Sequence, residues 1–339
     1  MGKIIGIDLG TANIVMTTGR KGVVINEASV VAYNKKRHCI MAVGNNAESM
    51  TGRSPDYVSL LRPVEGGVIS DDVMTRIIIR EFLLKISRKQ LIRPRVIICI
   101  PSSITDVESR AVIDAALGAG SRKVFLIQEP IAAMLGAGED ISLPCGNLVI
   151  DIGGGTTDIA VISLNGIVNS NSVRTAGNTL DKAIMRYIFN RYKVLIGEKT
   201  AEYAKIHLAN VYNPDSKRTM LIGGKNAANG LPEQIRISEQ DIFYAVKDDV
   251  NDIINAVIPV LEKTPPELAG DVYRKGALLT GGGALLKGID SLIYKQLGIK
   301  CRIADDAVTC AAKGTGKAFR ILDNLLDGFE YISFYKYKH

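Results

Sequence analysis

A short pattern occurs twice in the chain and constrains its fold more than any other feature. The segments are IIGIDLGTANIVM, residues 4–16, and LVIDIGGGTTDIAVI, residues 148–162. Each contains an apolar strand, an aspartate (Asp8 or Asp151), glycine with a hydroxyl residue, and a second apolar strand. Such an internal repeat predicts two related halves, each beginning with a β-hairpin whose turn carries the aspartate and glycines. The two turns could face each other.

The residue types in these turns suit a phosphate group. Glycine lets backbone N–H groups approach a phosphate closely, and threonine hydroxyls donate further hydrogen bonds to its oxygens. Asp8 and Asp151, at the strand ends, suit a hydrated Mg²⁺, which prefers carboxylates together with water and substrate phosphate. One such hairpin could equally be an ordinary tight turn, since a glycine-rich string alone is weak evidence. Two matched hairpins favour the phosphate interpretation.

A third glycine-rich element, TGGGALLKG, occupies residues 280–288 after the apolar run GALLT. Helix N-termini attract anions, and glycine permits close approach of a purine or ribose. The element lacks the GK[ST] of a P-loop and the GxGxxG of a dinucleotide-binding turn. The P-loop NTPase and Rossmann dehydrogenase classes are therefore disfavoured.

Strand-like and helix-like runs alternate along the whole chain, which is typical of α/β domains. The strand candidates are apolar on both faces, as buried central strands are: 4–8, 95–100, 123–127, 147–151, 158–164 and 276–280. The clearest predicted helices span 70–88, 106–117, 179–192, 239–262 and 307–326. The last three open near a Thr, Ser or Asp that could act as N-cap.

Composition limits the location and the partners. No window approaches the ~18 uninterrupted apolar residues of a membrane-spanning helix, and the N-terminal segment MGKIIGIDLG lacks an apolar signal core, so we expect a cytoplasmic protein. The five cysteines are scattered, which suggests neither a disulfide framework nor a zinc site. A net charge of +7 favours an acidic partner: anionic lipid, nucleic acid or the phosphates of a nucleotide.

Four motifs carry a resemblance to the actin, Hsp70 and sugar-kinase ATPase superfamily. They are DLGTAN (8–13), QEP (128–130), DIGGGTTD (151–158) and TGGGA (280–284), which resemble its phosphate-1, connecting, phosphate-2 and adenosine motifs. More narrowly, the chain resembles the MreB family of bacterial actins over almost its whole length, including NEASVVA (26–32) and RPVEGGVI (62–69). The resemblance implies an α/β, actin-like (ribonuclease H-like) fold of duplicated domains, with two large and two small subdomains around a nucleotide cleft.

The expected subdomain boundaries follow from that resemblance. Subdomain IA would comprise 1–32, 76–140 and 320–339, IB 33–75, IIA 141–180 and 245–319, and IIB 181–244.

The resemblance also implies that ATP and Mg²⁺ are the cofactors, with Asp8 and Asp151 holding the metal through water. The residues expected to bind the nucleotide are Asp8, Thr11, Ala12, Asn13, Asp151, Gly153, Gly154, Gly155, Thr156, Glu202, Lys205, Thr280, Gly281, Gly282, Gly283 and Ala284. Glu129 would position or activate the water that attacks the γ-phosphate, with help from Thr156. Alternatively, Glu129 is only a first-turn acid, since Pro130 suits the first helical position.

One position departs from the family pattern. Many members have a second acid where this chain has Gln128. If Gln128 rather than Glu129 faced the γ-phosphate, hydrolysis would be slower, because an amide can orient water but cannot take its proton.

The segment SRKQLIRPR, residues 87–95, predicts a membrane contact. Leu91 and Ile92 are adjacent apolar residues in a connecting loop, framed by the cations Arg88, Lys89, Arg93 and Arg95. Such a tip suits an anionic bilayer surface, and the resemblance places a membrane-insertion loop here. The alternative is that Leu91 and Ile92 pack under their own domain.

Three function classes are compatible with the motifs. The whole-chain resemblance favours a slowly hydrolysing cytoskeletal ATPase that polymerises into paired protofilaments on the inner face of the cell membrane. It would organise cell-wall synthesis together with shape-determining membrane proteins, and nucleic acid is not an expected partner. A metabolic kinase would need residues for a second substrate, and an Hsp70-type chaperone would need a long peptide-binding domain; we identify neither.

Overall fold

The computed structural model describes residues 3–19, 21–87, 92–319 and 329–333, with backbone only for residues 87 and 329–333. The strands are β1 (Ile4–Leu9), β2 (Asn13–Thr18), β3 (Gly22–Ala28), β4 (Val31–Asn34), β5 (Cys39–Val43), β6 (Val58–Leu61), β7 (Val64–Glu65), β8 (Val68–Ile69), β9 (Arg95–Ile100), β10 (Lys123–Gln128), β11 (Asn147–Ile152), β12 (Thr157–Ser163), β13 (Gly166–Val173), β14 (Val194–Leu195), β15 (Thr219–Asn226), β16 (Pro232–Ser238), β17 (Ala277–Thr280), β18 (Cys301–Ile303) and β19 (Phe329–Ser333).

The helices include several short ones. They are α1 (Asn45–Glu48), α2 (Asp72–Ser87), α3 (Asp106–Gly118), α4 (Glu129–Ala137), α5 (Gly177–Tyr192), α6 (Glu198–Leu208), α7 (Glu239–Asn255), α8 (Ile258–Glu262), α9 (Pro266–Lys275), α10 (Ile289–Leu297) and α11 (Cys310–Ala318), with 3₁₀ segments at Gly282–Leu285 and Ala307–Thr309. Among the described residues, no helix is both long and apolar enough to cross a bilayer.

Two large sheets repeat one topology. The first has the order β3-β2-β1-β9-β10-β19, and the second has the order β13-β12-β11-β17-β18. In each, an antiparallel hairpin (β1–β2 or β11–β12) is extended by a third antiparallel strand on one side and by a parallel strand on the other. The duplication predicted from the repeated motif is therefore confirmed.

The central strands are buried by packed helices: α3, α4 and α11 contact the first sheet, and α4, α8 and α9 contact the second. All residues of β11 and β12 are buried, which explains their continuous apolar sequences. Between the sheets, α4 and α11 pack closely: a Cβ added to Gly314 would overlap the carbonyl of Ala132, and one added to Gly136 would overlap that of Cys310. Glycine at these two positions lets the two helix backbones approach each other.

Smaller elements flank the two large sheets. The first small sheet has the order β5-β4-β6 and the second has the order β14-β15-β16, while β7 and β8 form a separate hairpin. The second small sheet lies within the segment predicted as IIB, and the first lies within the segment predicted as IB except for Val31 and Ala32 of β4. The boundaries themselves stay a prediction.

Several predicted helices differ in extent from those observed. The helix predicted at 239–262 is divided into α7 and α8, because Pro259, in the first turn of α8, has no N–H to continue the hydrogen-bond pattern. Ser238 caps α7 through a capping box with Asp241, as the predicted N-cap requires. The helix predicted at 179–192 begins earlier, at Gly177, without a side-chain cap. The one predicted at 307–326 begins as a 3₁₀ turn, and residues 320–326 lie outside the described part.

Candidate functional site

The two glycine-bearing turns meet tip to tip. Each joins the two strands of the central hairpin of a large sheet, so the duplicated sheets bring the turns to one place. A Cβ added to Gly155 would overlap the Thr11 side chain, and one added to Gly154 would lie 2.8 Å from the Cβ of Ala12. Glycine is therefore required at both positions for the turns to approach each other.

A cleft of about 480 Å³ opens between the turns. The predicted site residues that line it are Asp8, Thr11, Ala12, Asn13, Glu129, Asp151, Gly153, Gly154, Gly155, Thr156, Glu202, Lys205, Gly281, Gly282 and Gly283. Thr280 and Ala284 are fully buried beside it, so they support the third glycine turn from behind rather than facing the cleft.

The third glycine turn packs against the floor of the cleft. Gly281 has a φ of +79°, and an added Cβ would lie 2.5 Å from Oδ1 of Asp151. Its N–H donates to the carbonyl of Ala307 at 3.0 Å. A 3₁₀ segment rather than an α-helix follows the turn, and α10 begins only at Ile289. Gly281 is needed both for the left-handed conformation and for contact with Asp151.

Three acids, Asp8, Glu129 and Asp151, line the inner end of the cleft, and a fourth, Asp158, is buried beside them. Burial raises the pKa of Asp8 to about 7, and burial, with the charges of Asp8 and Asp158, raises the pKa of Asp151 to about 8. Asp158, which pairs with Asp151 across β11 and β12, accepts a hydrogen bond from the Ser102 N–H at 2.8 Å, while its other oxygen has no described partner. The sequence analysis did not identify Asp158, although it ends the DIGGGTTD motif.

This acid cluster fits Mg²⁺ held through water. A divalent cation would offset the cost of burying the carboxylates of Asp8 and Asp151, which is the main cause of their raised pKa values. Among the described residues, no three His, Cys, Asp or Glu side chains are placed to ligate a metal together. Magnesium retains several waters and uses one or two carboxylates plus phosphate oxygens, so two acids suffice.

Glu129 rather than its neighbour faces the cleft. It begins α4 directly after Gln128, and burial, followed by the charge of Asp158, raises the pKa of its carboxyl well above the usual range. Gln128 does not line the cleft, and its Oε1 is buried without a described partner. The acid, not the amide, is therefore placed to act on a bound ligand.

Lys205 holds the second glycine-bearing turn, Gly153–Thr156, in place. Its ammonium donates to the carbonyl of Gly177 at 3.0 Å and pairs with Asp181 at 2.8 Å. Gly177 in turn donates its N–H to the carbonyl of Gly153 at 3.1 Å. Lys205 thus links α6, α5 and the turn, in addition to lining the cleft.

The turn of the β7–β8 hairpin covers the phosphate turns and was not identified as part of the site from the sequence. The N–H of Gly67 donates to Oγ1 of Thr11 at 3.1 Å. An added Cβ at Gly67, where φ is +77°, would lie 2.8 Å from Cγ2 of Thr156. The two consecutive glycines in RPVEGGVI were the only sign in the sequence that this turn is special. Nothing in the local sequence indicates that they contact Thr11 and Thr156.

The sequence analysis also did not identify three exposed apolar residues at the cleft. Ile206, Leu285 and Val308 are 66%, 59% and 42% exposed, and all three line the cleft. Apolar side chains with a few polar groups form the usual lining of a small-molecule site. These three side chains offer apolar surface to a planar nucleobase.

The loop predicted to contact a membrane lies between α2 and β9. Ile92 is 48% exposed, and Arg93 is exposed beside it. Arg95 lies over the ring of Phe319, 5.2 Å from its centroid. Leu91, Arg88 and Lys89 lie outside the described residues. The exposure of Ile92 favours surface contact over packing beneath the domain.

Comparison with known proteins identifies the family. The MreB/Mbl protein family model matches residues 2–327. The chain is 43% identical to cell shape-determining protein MreB of Escherichia coli strain K12 over 325 residues, covering 94% of each chain. It is 44% identical to cell shape-determining protein Mbl of Bacillus subtilis strain 168 over 323 residues, covering 95% of this chain and 97% of the relative.

A solved structure supports the same family. MreB5 of Spiroplasma citri bound to ADP superposes with a TM-score of 0.90 at 36% identity, covering 95% of this chain and 97% of the other. MreB5 has also been solved bound to AMPPNP, with a TM-score of 0.88. The fold is therefore actin-like, and the chain belongs to the MreB/Mbl family.

Proposed function

We propose that this protein is an actin-like cytoskeletal ATPase that binds ATP with Mg²⁺, hydrolyses it slowly and polymerises into filaments on the inner face of the cell membrane. Through these filaments it organises cell-wall synthesis and sets cell shape. The observation that carries the proposal is the tip-to-tip contact of the two glycine turns over paired acids. Its relatives, named as cell shape-determining proteins, support the cellular role.

The nucleotide lies along the cleft with its phosphates between the turns. Backbone N–H groups of the Thr11–Asn13 and Gly153–Thr156 turns contact the phosphate oxygens. Glu202 contacts the nucleoside, Gly281 to Gly283 close over the adenosine, and Ile206, Leu285 and Val308 contact the base. The ADP-bound and AMPPNP-bound structures of MreB5 support an adenine nucleotide.

Hydrolysis depends on Glu129. Its carboxylate orients the attacking water and accepts its proton, and Thr156 holds the same water. Asp8 and Asp151 would hold Mg²⁺ through water. Bound Mg²⁺ supplies positive charge that offsets the negative charge of the phosphates and of the surrounding acids.

Assembly is head to tail. Identical subunits stacked in this way form a heterologous contact that does not close, so the polymer grows as a filament, and two protofilaments pair. Leu91 and Ile92 attach each subunit weakly to the bilayer, and repetition along the polymer makes the attachment stable. The shape-determining membrane proteins and the cell-wall synthesis machinery are its partners on that surface.

The substitution Gly155→Ala tests the placement of the phosphates. The new Cβ overlaps Thr11, so the two turns must separate, and we expect ATP affinity to fall at least about tenfold, roughly 1.4 kcal/mol. The measurement is a titration with a fluorescent ATP analogue, with and without Mg²⁺. The control is Gly223→Ala, because an added Cβ there meets no atom within 4 Å. Unchanged affinity in Gly155→Ala would show that the phosphates bind elsewhere.

A further inference from the structure

Four charged side chains form ion pairs above the cleft; we call them the mouth cluster and define it as Glu48, Arg62, Glu198 and Lys199. Nη2 of Arg62 lies 3.4 Å from Oε2 of Glu48 and 3.7 Å from Oε2 of Glu198. Nζ of Lys199 lies 3.6 Å from Oε1 of Glu48 and also donates to the Glu48 carbonyl. Each cation therefore contacts Glu48.

The members of the mouth cluster come from opposite sides of the cleft. Glu48 ends α1 and Arg62 directly follows β6, both of which accompany the first small sheet. Glu198 and Lys199 begin α6, which packs beside α5 and the second small sheet. The contacts Arg62–Glu198 and Lys199–Glu48 thus join the two sides of the cleft across its opening.

A second cavity, of about 550 Å³, lies under the mouth cluster. All four cluster residues line it, and so do Thr11 and Gly155 of the two phosphate turns. Thr11 and Gly155 also line the nucleotide cleft, so the two cavities meet at the phosphate turns. The mouth cluster therefore covers a passage between the phosphate turns and solvent.

We propose that the mouth cluster is a latch that holds the cleft closed on its nucleotide and sets the rate at which the nucleotide leaves. This proposal rests on the proposed function of the cleft as an ATP site. Helix α6 transmits the effect, since Lys199 lies at its start and Glu202 and Lys205 of the nucleotide site lie within the next two turns. When the latch opens, the start of α6 is no longer tied to Glu48 across the cleft.

The exposure of the mouth cluster suits a latch that opens readily. The four side chains are between 24% and 55% exposed, so each ion pair is weak and is screened by salt. Because two ion pairs, Arg62–Glu198 and Lys199–Glu48, cross the cleft, the loss of one weakens the link without removing it. A modest effect on the rate of release, strongly dependent on salt, is therefore expected.

The test is the dissociation rate of a fluorescent ATP analogue, measured by stopped flow on the full chain below its assembly concentration. Lys199→Met and Glu48→Gln each remove a charge and keep the side-chain length. Each is expected to release the analogue about fivefold faster than wild type at low salt, and high salt is expected to abolish the difference. The double variant should be less than additive, because the two residues act through one contact.

The matched control is Arg274→Ala, which removes an exposed arginine paired with Asp271 at 2.5 Å, away from both cavities. Its release rate should equal that of the wild type. Wild-type or slower release in both cluster variants would overturn the latch and leave the ATP site intact. Failure of the wild type to bind the analogue at all would instead overturn the proposed function, and the latch with it.

Discussion

Glu129→Ala is expected to bind ATP with nearly wild-type affinity and to release phosphate about 10² to 10⁴ times more slowly. This range is the loss of rate expected when a general base is removed. Glu129 lines the cleft at the start of α4, next to the other acids, while the phosphate-binding groups belong to different turns. Removing the carboxyl should therefore affect the chemical step and spare binding. The measurement is phosphate release under single-turnover conditions, beside a nucleotide titration.

The neighbouring residue provides the control for Glu129. Gln128→Ala changes a side chain that does not line the cleft, so its hydrolysis rate should stay close to that of the wild type. If the two variants exchanged behaviour, with Gln128→Ala inactive and Glu129→Ala active, the amide would be the residue facing the γ-phosphate. Wild-type hydrolysis in Glu129→Ala alone would also refute the catalytic role.

Leu91→Ser combined with Ile92→Ser is expected to abolish co-sedimentation with anionic liposomes while leaving ATP binding and polymerisation nearly intact. Burial of two such side chains gives about 3 to 6 kcal/mol per subunit, and each nearby cation adds about 1 kcal/mol. A filament multiplies these weak contacts through avidity, so loss of the apolar part is amplified. High salt should weaken wild-type binding only in part, because it screens the cations but not the apolar contacts.

The matched control for the membrane contact is Leu143→Ser. Leu143 is exposed to an extent similar to Ile92 but lies outside the basic loop, so its substitution should leave liposome binding unchanged. Loss of liposome binding in Leu143→Ser would show that the membrane contact is not specific to the basic loop. If the double variant lost several kcal/mol of unfolding free energy, Leu91 and Ile92 would be packed in the core rather than presented to lipid.

The fold could be predicted largely because its central strands are buried and apolar. The two hairpins with their aspartates predicted both the duplication and the meeting of the turns. Strand β13 was missed because its sequence, GIVNSNSV, is polar and half-buried, without the apolar character of the other strands. The break between α7 and α8 depends on one proline within an otherwise periodic run.

The site was predictable only where its residues share a motif. The glycines of the three turns were identified because they are consecutive in sequence. Gly67 and the apolar residues Ile206, Leu285 and Val308 come from separate segments, and only the packing of the two halves brings them to one cleft. Exposure in a cleft is a property of the folded chain, so an isolated isoleucine or leucine gives no sign of it in the sequence.

Electron microscopy of the protein with Mg²⁺-ATP and anionic lipid tests the central claim most directly, namely that nucleotide in this cleft supports filaments on a membrane. The account predicts paired protofilaments lying on the lipid surface for the wild type. It also predicts strongly reduced assembly at the same ATP concentration for Gly155→Ala, whose phosphate turns cannot close. Monomers alone in the wild type, across a range of salt and nucleotide conditions, would contradict the account.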